Sequence, residues 1–479
     1  MFLKRFYDDG LAQASYLIGC AETGEAIVID PNRDIDTYVK AAKAEQLRIS
    51  HVSETHIHAD FVSGSRELAR ATGAKLYLSG EGGTDWQYGF AKQDGATLVH
   101  DGDVIKIGNI LLQVMHTPGH TPEHISFLVT DTKSASEPMG IVSGDFVFVG
   151  DVGRPDLLEK AAKVANTMEA SARTLFHSLE RFRALPDFVQ VWPGHGAGSA
   201  CGKSLGAVPT STVGYERRFN WGVATTDEAV FVESVLAGQP EPPAYFAEMK
   251  RINRDGPDVI GHFARPAQAA RPALVSALAA GAFVIDTRHA RDFGAKHVPG
   301  TINIPLNKSF ANWAGWLSPY DRDLQLIAAD EATMRRAVRE LAMIGLDRVT
   351  TWYAAAVVDE FHAAGGVLGS VAETSVDGLA PKLARGEVAV VDVRNRSEWD
   401  AGHLPGAIHI PVGYLAARLA EIPRDKPVVL QCESGSRSAI AASVVQKLGV
   451  TNVSNLAGGI NAWQAAGFDI VRDPVAAGV

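Results

Sequence analysis

Short apolar runs alternate with turn residues and helix-periodic stretches through the first 200 residues. Ala26-Ile27-Val28-Ile29 ends on Asp30-Pro31 and leads into a helical pattern over residues 35–46. His51-Val52-Ser53-Glu54-Thr55 reads as a further strand, followed by a histidine cluster and a helical stretch over 64–72. Val104 to Val114 alternates like a hairpin with Gly108-Asn109 at its turn. Elements interleaved in this way predict sheets sandwiched by helices. From Gln239 to Pro257 the periodicity is interrupted by Pro240, Pro242, Pro243 and Gly256, which predicts a linker and a first domain over 1–245.

Beyond the linker the chain repeats itself. Val284-Ile285-Asp286-Thr287-Arg288 and His297-Val298-Pro299-Gly300 recur as Val390-Val391-Asp392-Val393-Arg394 and His403-Leu404-Pro405-Gly406, at a constant offset of 106. Each copy reads strand, helix, strand, helix, so two small parallel-sheet α/β domains are expected, over 246–369 and 370–479.

The 479 residues are 46% hydrophobic and 21% charged, which excludes a disordered or fibrous chain. A formal charge of −10 disfavours nucleic acid or an anionic membrane as partner. Three scattered cysteines, Cys20, Cys201 and Cys432, can form neither a disulfide framework nor a four-cysteine zinc site. Met1 to Phe6 lack the apolar run that a secretory signal needs after its basic residues, and the longest uncharged apolar stretch, Ala273 to Ile285, has 13 residues, short of the roughly 20 that span a bilayer. A cytoplasmic enzyme is therefore expected, with no membrane segment, and by general frequency a homo-oligomer.

Four histidine-bearing or acidic motifs each follow an apolar run: His56-Ile57-His58-Ala59-Asp60, Thr117-Pro118-Gly119-His120-Thr121, Ser143-Gly144-Asp145 and Pro193-Gly194-His195. Imidazoles and carboxylates gathered along one sheet edge suit zinc or iron. In this order the motifs resemble the metallo-β-lactamase superfamily over about residues 1–240, which implies an N-terminal αββα sandwich. Dinuclear zinc members extend the first motif by a histidine where this chain has Phe61, which argues against a complete second metal site. The resemblance implies one metal on His56, His120 and Asp145. His58 and Asp60 would orient ligands or hold a metal-bound water, and His195 would stand near. Gly150-Asp151-Val152-Gly153-Arg154-Pro155-Asp156 resembles a segment of the persulfide dioxygenases, which implies mononuclear Fe(II), with zinc as the alternative metal. Arg154 would grip a substrate carboxylate; the alternative is a salt bridge to Asp151 or Asp156. Cys201 follows His195 closely and either faces the metal pocket or is a small buried thiol.

Cys432-Glu433-Ser434-Gly435-Ser436-Arg437 lies between an apolar strand and a helical run. The loop's backbone N–H groups, the helix dipole and Arg437 favour a thiolate or persulfide anion there. With Asp392 and the Gly458-Gly459 turn, the segment resembles a rhodanese, which implies catalysis by Cys432 and Arg437. The first copy has Ala328 in the nucleophile's register, followed by Asp330 and Glu331, so it should be an inactive rhodanese-like domain.

The three parts together resemble fusions of a persulfide dioxygenase with a rhodanese. That resemblance implies oxidation of a low-molecular-weight thiol persulfide by O₂ to sulfite, and exchange of sulfur between sulfite or a thiol and thiosulfate, as in sulfide detoxification. The rival expectations are a zinc thioesterase of the glyoxalase II kind fused to a rhodanese, and a tandem repeat that only docks a partner.

Overall fold

Two six-stranded sheets lie face to face in the first part of this computed structural model, which describes residues 1–157, 167–199, 201–203, 205–239 and 241–472. Pro240 of the expected linker and residues 473–479 of the expected last domain lie outside these. The first sheet keeps sequence order: β1 (Phe2–Asp8), β2 (Gln13–Cys20), β3 (Glu25–Ile29), β4 (Arg48–Ser53), β5 (Lys75–Ser79) and β6 (Thr97–Val99). The second runs β12-β11-β10-β9-β8-β7, from β7 (Val104–Ile107), β8 (Ile110–His116), β9 (Ile125–Asp131) and β10 (Gly140–Gly144) to β11 (Gln190–Pro193) and β12 (Ser211–Thr212). The expected hairpin is β7 and β8, paired Ile107 to Ile110, with Gly108 at φ 58° in the turn.

Alternation drives the sandwich. In β7, Ile105 and Ile107 are buried while Val104 and Lys106 face out. With Tyr16, Ile27, Leu112, Phe127 and Trp192 they fill the core between the sheets. Helices Asp36–Ala44 and Ser65–Thr72 cover the outer face of the first sheet through Tyr38 and Leu68, and helix Met168–Arg183 covers the second through Leu175, Leu179 and Phe182. Each such side chain contributes about 2 kcal/mol by leaving water. The layers are αββα, as expected.

The expected linker holds a helix, Phe246–Asp255. The prolines precede this helix and Gly256, at φ 111°, ends it, while Phe246, Met249 and Asn253 are buried on one face. Tertiary contacts accordingly carry the first unit to Phe263, with Ala342–Gly345 added, and gather the rest of the chain into a second unit.

The second unit contains two five-stranded parallel sheets of matching order. One is β13-β17-β16-β14-β15, from β13 (Ala267–Gln268), β14 (Phe283–Asp286), β15 (Ile302–Asn303), β16 (Leu324–Ala328) and β17 (Val349–Ala354). The other is β18-β22-β21-β19-β20, from β18 (Ala372–Thr374), β19 (Ala389–Asp392), β20 (Ile408–His409), β21 (Val428–Gln431) and β22 (Val453–Leu456). Helix Ser436–Lys447 lies against β15, where Ser443 Oγ accepts the Asn303 N–H at 2.9 Å. Among the described residues no helix is long and apolar enough to cross a membrane.

Candidate functional site

Strands β4, β8, β10 and β11 end on one edge of the sandwich and deliver the four motifs there. His56, His120 and Asp145 are buried, and their ligand atoms lie within 4.8 Å of one another. Asp145 Oδ2 stands 3.5 Å from His120 Nε2 and 3.9 Å from His56 Nε2 and has no hydrogen-bond partner among the described residues. An orphaned buried carboxylate oxygen facing two imidazole nitrogens is the signature of a cation site.

Outer contacts aim the ligands. His120 Nδ1–H donates to the Arg154 carbonyl at 3.1 Å and His56 Nδ1 meets Thr55 Oγ1 at 3.0 Å, which leaves both Nε2 atoms for the metal. Burial, and then the neighbouring imidazoles, push His56 well below the usual histidine range. Burial lowers His120 as well, so both rings are in the neutral, ligating form. Gly144, at φ 52°, admits no side chain, because a Cβ would press on Thr55 and on His124 Nε2, which accepts the Asp145 N–H at 3.0 Å.

Asp60 and His195 stand beside the triad. His195 Nε2 is 3.4 Å from both Asp60 Oδ2 and Asp145 Oδ1, and its Nδ1–H donates to the Ala12 carbonyl at 2.9 Å. Burial would lower His195, but Asp145 and Asp60 together raise it. Asp60, His195 and Cys201 form a second buried group able to hold a cation. Cys201 thus faces this pocket and is also buried, with its thiol pushed well up by burial and then by Asp60. Phe61 withholds an imidazole and packs on the His58 ring at 4.4 Å between centroids.

The surroundings of His58 and Arg154 complete the pocket, and for Arg154 they match the salt-bridge alternative. His58 packs on the His56 ring at 4.2 Å between centroids; its Nε2–H donates to Asp30 Oδ1 at 3.1 Å, and although burial opposes it, Asp30 holds the ring charged, up to about 9. Arg154 does not present an open fork: it is fully buried and grips Asp156 with Nε at 2.8 Å and Nη2 at 2.7 Å. A carboxylate two residues away reaches that fork without any loss of chain entropy to bring it in.

In the second unit Cys432 is buried at the end of β21, directly before helix Ser436–Lys447. Its Sγ accepts the Gly435 N–H at 3.1 Å and the Ser438 hydroxyl at 3.3 Å. Gly435, at φ 96°, makes the turn that aims its N–H inward, while Glu433, Ser434 and Ser436 are exposed. Arg437 is held bidentately by Glu398, both bonds 2.6 Å, and lies 3.7 Å from Glu433. Its fork is therefore committed, and it acts on the loop as a positioned charge. In the middle repeat Ala328 is buried at the end of β16, and Asp330 Oδ1 accepts the Thr333 N–H at 2.7 Å.

Residues 8–195 match the metallo-β-lactamase superfamily and residues 375–466 match the rhodanese-like domain. A crystal structure of a metallo-β-lactamase from Staphylococcus aureus is 44% identical, with a TM-score of 0.66, over 74% of this chain and 99% of that one. The chain belongs to the metallo-β-lactamase superfamily. Among this member's relatives, a hydroxyacylglutathione hydrolase of Polaromonas sp. is 35% identical over 182 residues, 38% of this chain and only 61% of the hydrolase. A mitochondrial persulfide dioxygenase of Bos taurus is 28% identical over 229 residues, 46% of this chain and 75% of the dioxygenase. A sulfurtransferase of Allochromatium vinosum is 39% identical over 102 residues, 21% of this chain and 95% of that protein. The superfamily fold is thus followed in this chain by a C-terminal rhodanese domain.

The sequence reading missed several residues around these sites. Asp30, at φ 52°, accepts the Thr55 N–H at 2.6 Å and binds His58, and only its place at a strand end marked it. His124 lies four residues after His120 without a motif of its own. Asn253 donates to the carbonyls of His58 and Phe61 at 2.8 and 2.7 Å from helix Phe246–Asp255, inside the expected linker. Glu398 and Ser438 carried no signal apart from their neighbours.

Proposed function

We propose that this chain is a non-haem iron persulfide dioxygenase coupled to a rhodanese sulfurtransferase. Its substrates would be a low-molecular-weight thiol persulfide and O₂, with sulfite and thiosulfate as the exchanging sulfur species. The observation that carries the reading is the orphaned Asp145 Oδ2 facing two neutral imidazoles, a two-histidine, one-carboxylate face. Bound there, Fe(II) would supply the electron-transfer chemistry that O₂ requires. The protein's part is to hold His56 and His120 neutral by burying them and to turn their Nε2 atoms towards Asp145 through their Nδ1 contacts. Overall, the persulfide, O₂ and one water give the thiol, sulfite and two protons, the outer sulfur losing the electrons that O₂ gains. At Cys432 the Gly435 N–H and Ser438 hydroxyl would stabilise the thiolate and the persulfide anion.

A second reading, a zinc thioesterase, is favoured by the Asp60, His195 and Cys201 group, which offers donors for another ion, and by the likeness to the hydrolase. Anaerobic purification, metal analysis and O₂ uptake on adding glutathione persulfide separate the two. About one iron per chain with rapid uptake is the expected result. Zinc, no uptake after Fe(II) reconstitution, and hydrolysis of S-lactoylglutathione would overturn it. Asp145→Ala is expected to lose both iron and uptake while retaining sulfur transfer at Cys432.

A further inference from the structure

A cavity of about 890 Å³ opens beside the Cys432 loop and is walled by both repeats of the second unit. The loop, Glu433 to Arg437, forms one side, and the middle repeat contributes Arg291 and Lys308 to the other. Both cations are exposed, and neither takes part in an ion pair among the described residues. At the offset of 106 the last repeat has Ser397 and Tyr414 in their places, so these charges belong to the middle copy alone. Arg437 is committed to Glu398, and Glu433 lies against Arg437. Glu373 is left as the lining carboxylate without an ion-pair partner among the described residues.

The volume is that of a small-ligand site and far exceeds what thiosulfate needs. Two uncommitted cations and one uncommitted carboxylate complement a molecule with two carboxylates and one ammonium. We infer that the middle repeat supplies the acceptor subsite of the rhodanese. The cavity takes a peptide thiol, Arg291 and Lys308 pair with its carboxylates, Glu373 pairs with its ammonium, and its sulfur meets the Cys432 loop. This inference rests on the sulfur-transfer reading of Cys432. Cys432 thiolate attacks the outer sulfur of thiosulfate, and the electron pair of the broken S–S bond leaves with sulfite. The acceptor thiolate then attacks the outer sulfur of the Cys432 persulfide; a new S–S bond forms, and the old bond's electron pair returns to Sγ.

The test uses the full chain with thiosulfate as donor and either glutathione or 2-mercaptoethanol as acceptor. In Arg291→Ser with Lys308→Ser, the ratio of kcat/KM for glutathione to that for 2-mercaptoethanol is expected to fall about tenfold. The loss should sit in KM and shrink with added salt. Arg291→Lys with Lys308→Arg should restore the ratio. An unaltered ratio in a serine variant that turns over both thiols overturns the subsite and leaves the sulfur-transfer reading intact. Failure of the unaltered chain to transfer sulfur to either thiol overturns that reading and the subsite with it.

Discussion

In the middle and last repeats of the second unit the same contacts hold the scaffold. Asp286 takes the Arg288 fork at 2.7 Å as Asp392 takes that of Arg394 at 2.6 Å. Phe293 stacks on His297 at 3.9 Å as Trp399 stacks on His403 at 3.5 Å. The repeats part at the end of the central strand. In the last one Cys432 lies beneath Gly435 and Ser438, and no side chain caps the helix that follows. In the middle one Asp330 fills the helix terminus with the chain's own carboxylate. Packing and the thiol loop are therefore separable: an alanine satisfies the buried strand end, whereas the proposed sulfur transfer would need a thiol and an uncapped helix terminus together.

The largest test of that contrast is Cys432→Ser, expected to lower thiosulfate sulfur transfer by roughly 10³-fold or more while O₂ uptake on glutathione persulfide continues. Equal loss of both activities would defeat the separation of the two sites. The shared scaffold can be probed with Phe293→Ala and Trp399→Ala, each expected to cost about 3 kcal/mol in denaturant unfolding of the full chain. A cost confined to one of them would show that the repeats are not held alike. Ser438→Ala should slow transfer about tenfold, since it removes one of two donors to Sγ.

A smaller effect concerns pH. Burial alone would raise Glu398, but the Arg437 fork outweighs it and holds the carboxyl below its ordinary 4.5. A depressed carboxylate contributes its stability in full above that ordinary value and loses it as pH falls through the folded value. The last repeat should therefore weaken on acidification below pH 4.5, and Glu398→Gln should remove that part of the acid sensitivity, as read from unfolding midpoints. The smallest expected effect is none: in a Cys432→Ser background, Ala328→Cys restores no transfer because Asp330 still occupies the helix terminus.

The strands, the hairpin and the strand-end motifs were legible because each is local: apolar alternation, a two-residue turn, a histidine directly after an apolar run. His56, His120 and Asp145 converge because three such strand ends share an edge. What escaped depends on where a side chain turns or on contacts far apart in sequence. Arg154 could equally have reached a substrate, and only its rotamer commits it to Asp156. His58 and Asp30 are 28 residues apart, and Asn253 lies 195 residues beyond His58. The proline-rich stretch concealed the helix of Asn253 because prolines that stop one element can also stand in front of the next.

The bond between Ser443 Oγ and the Asn303 N–H has a practical use. β15 is an edge strand, and an edge amide normally trades its proton with solvent freely. Here its partner is the helix that follows the Cys432 loop, so deuterium uptake at one backbone position is a clock for how often that helix lifts away from the neighbouring sheet.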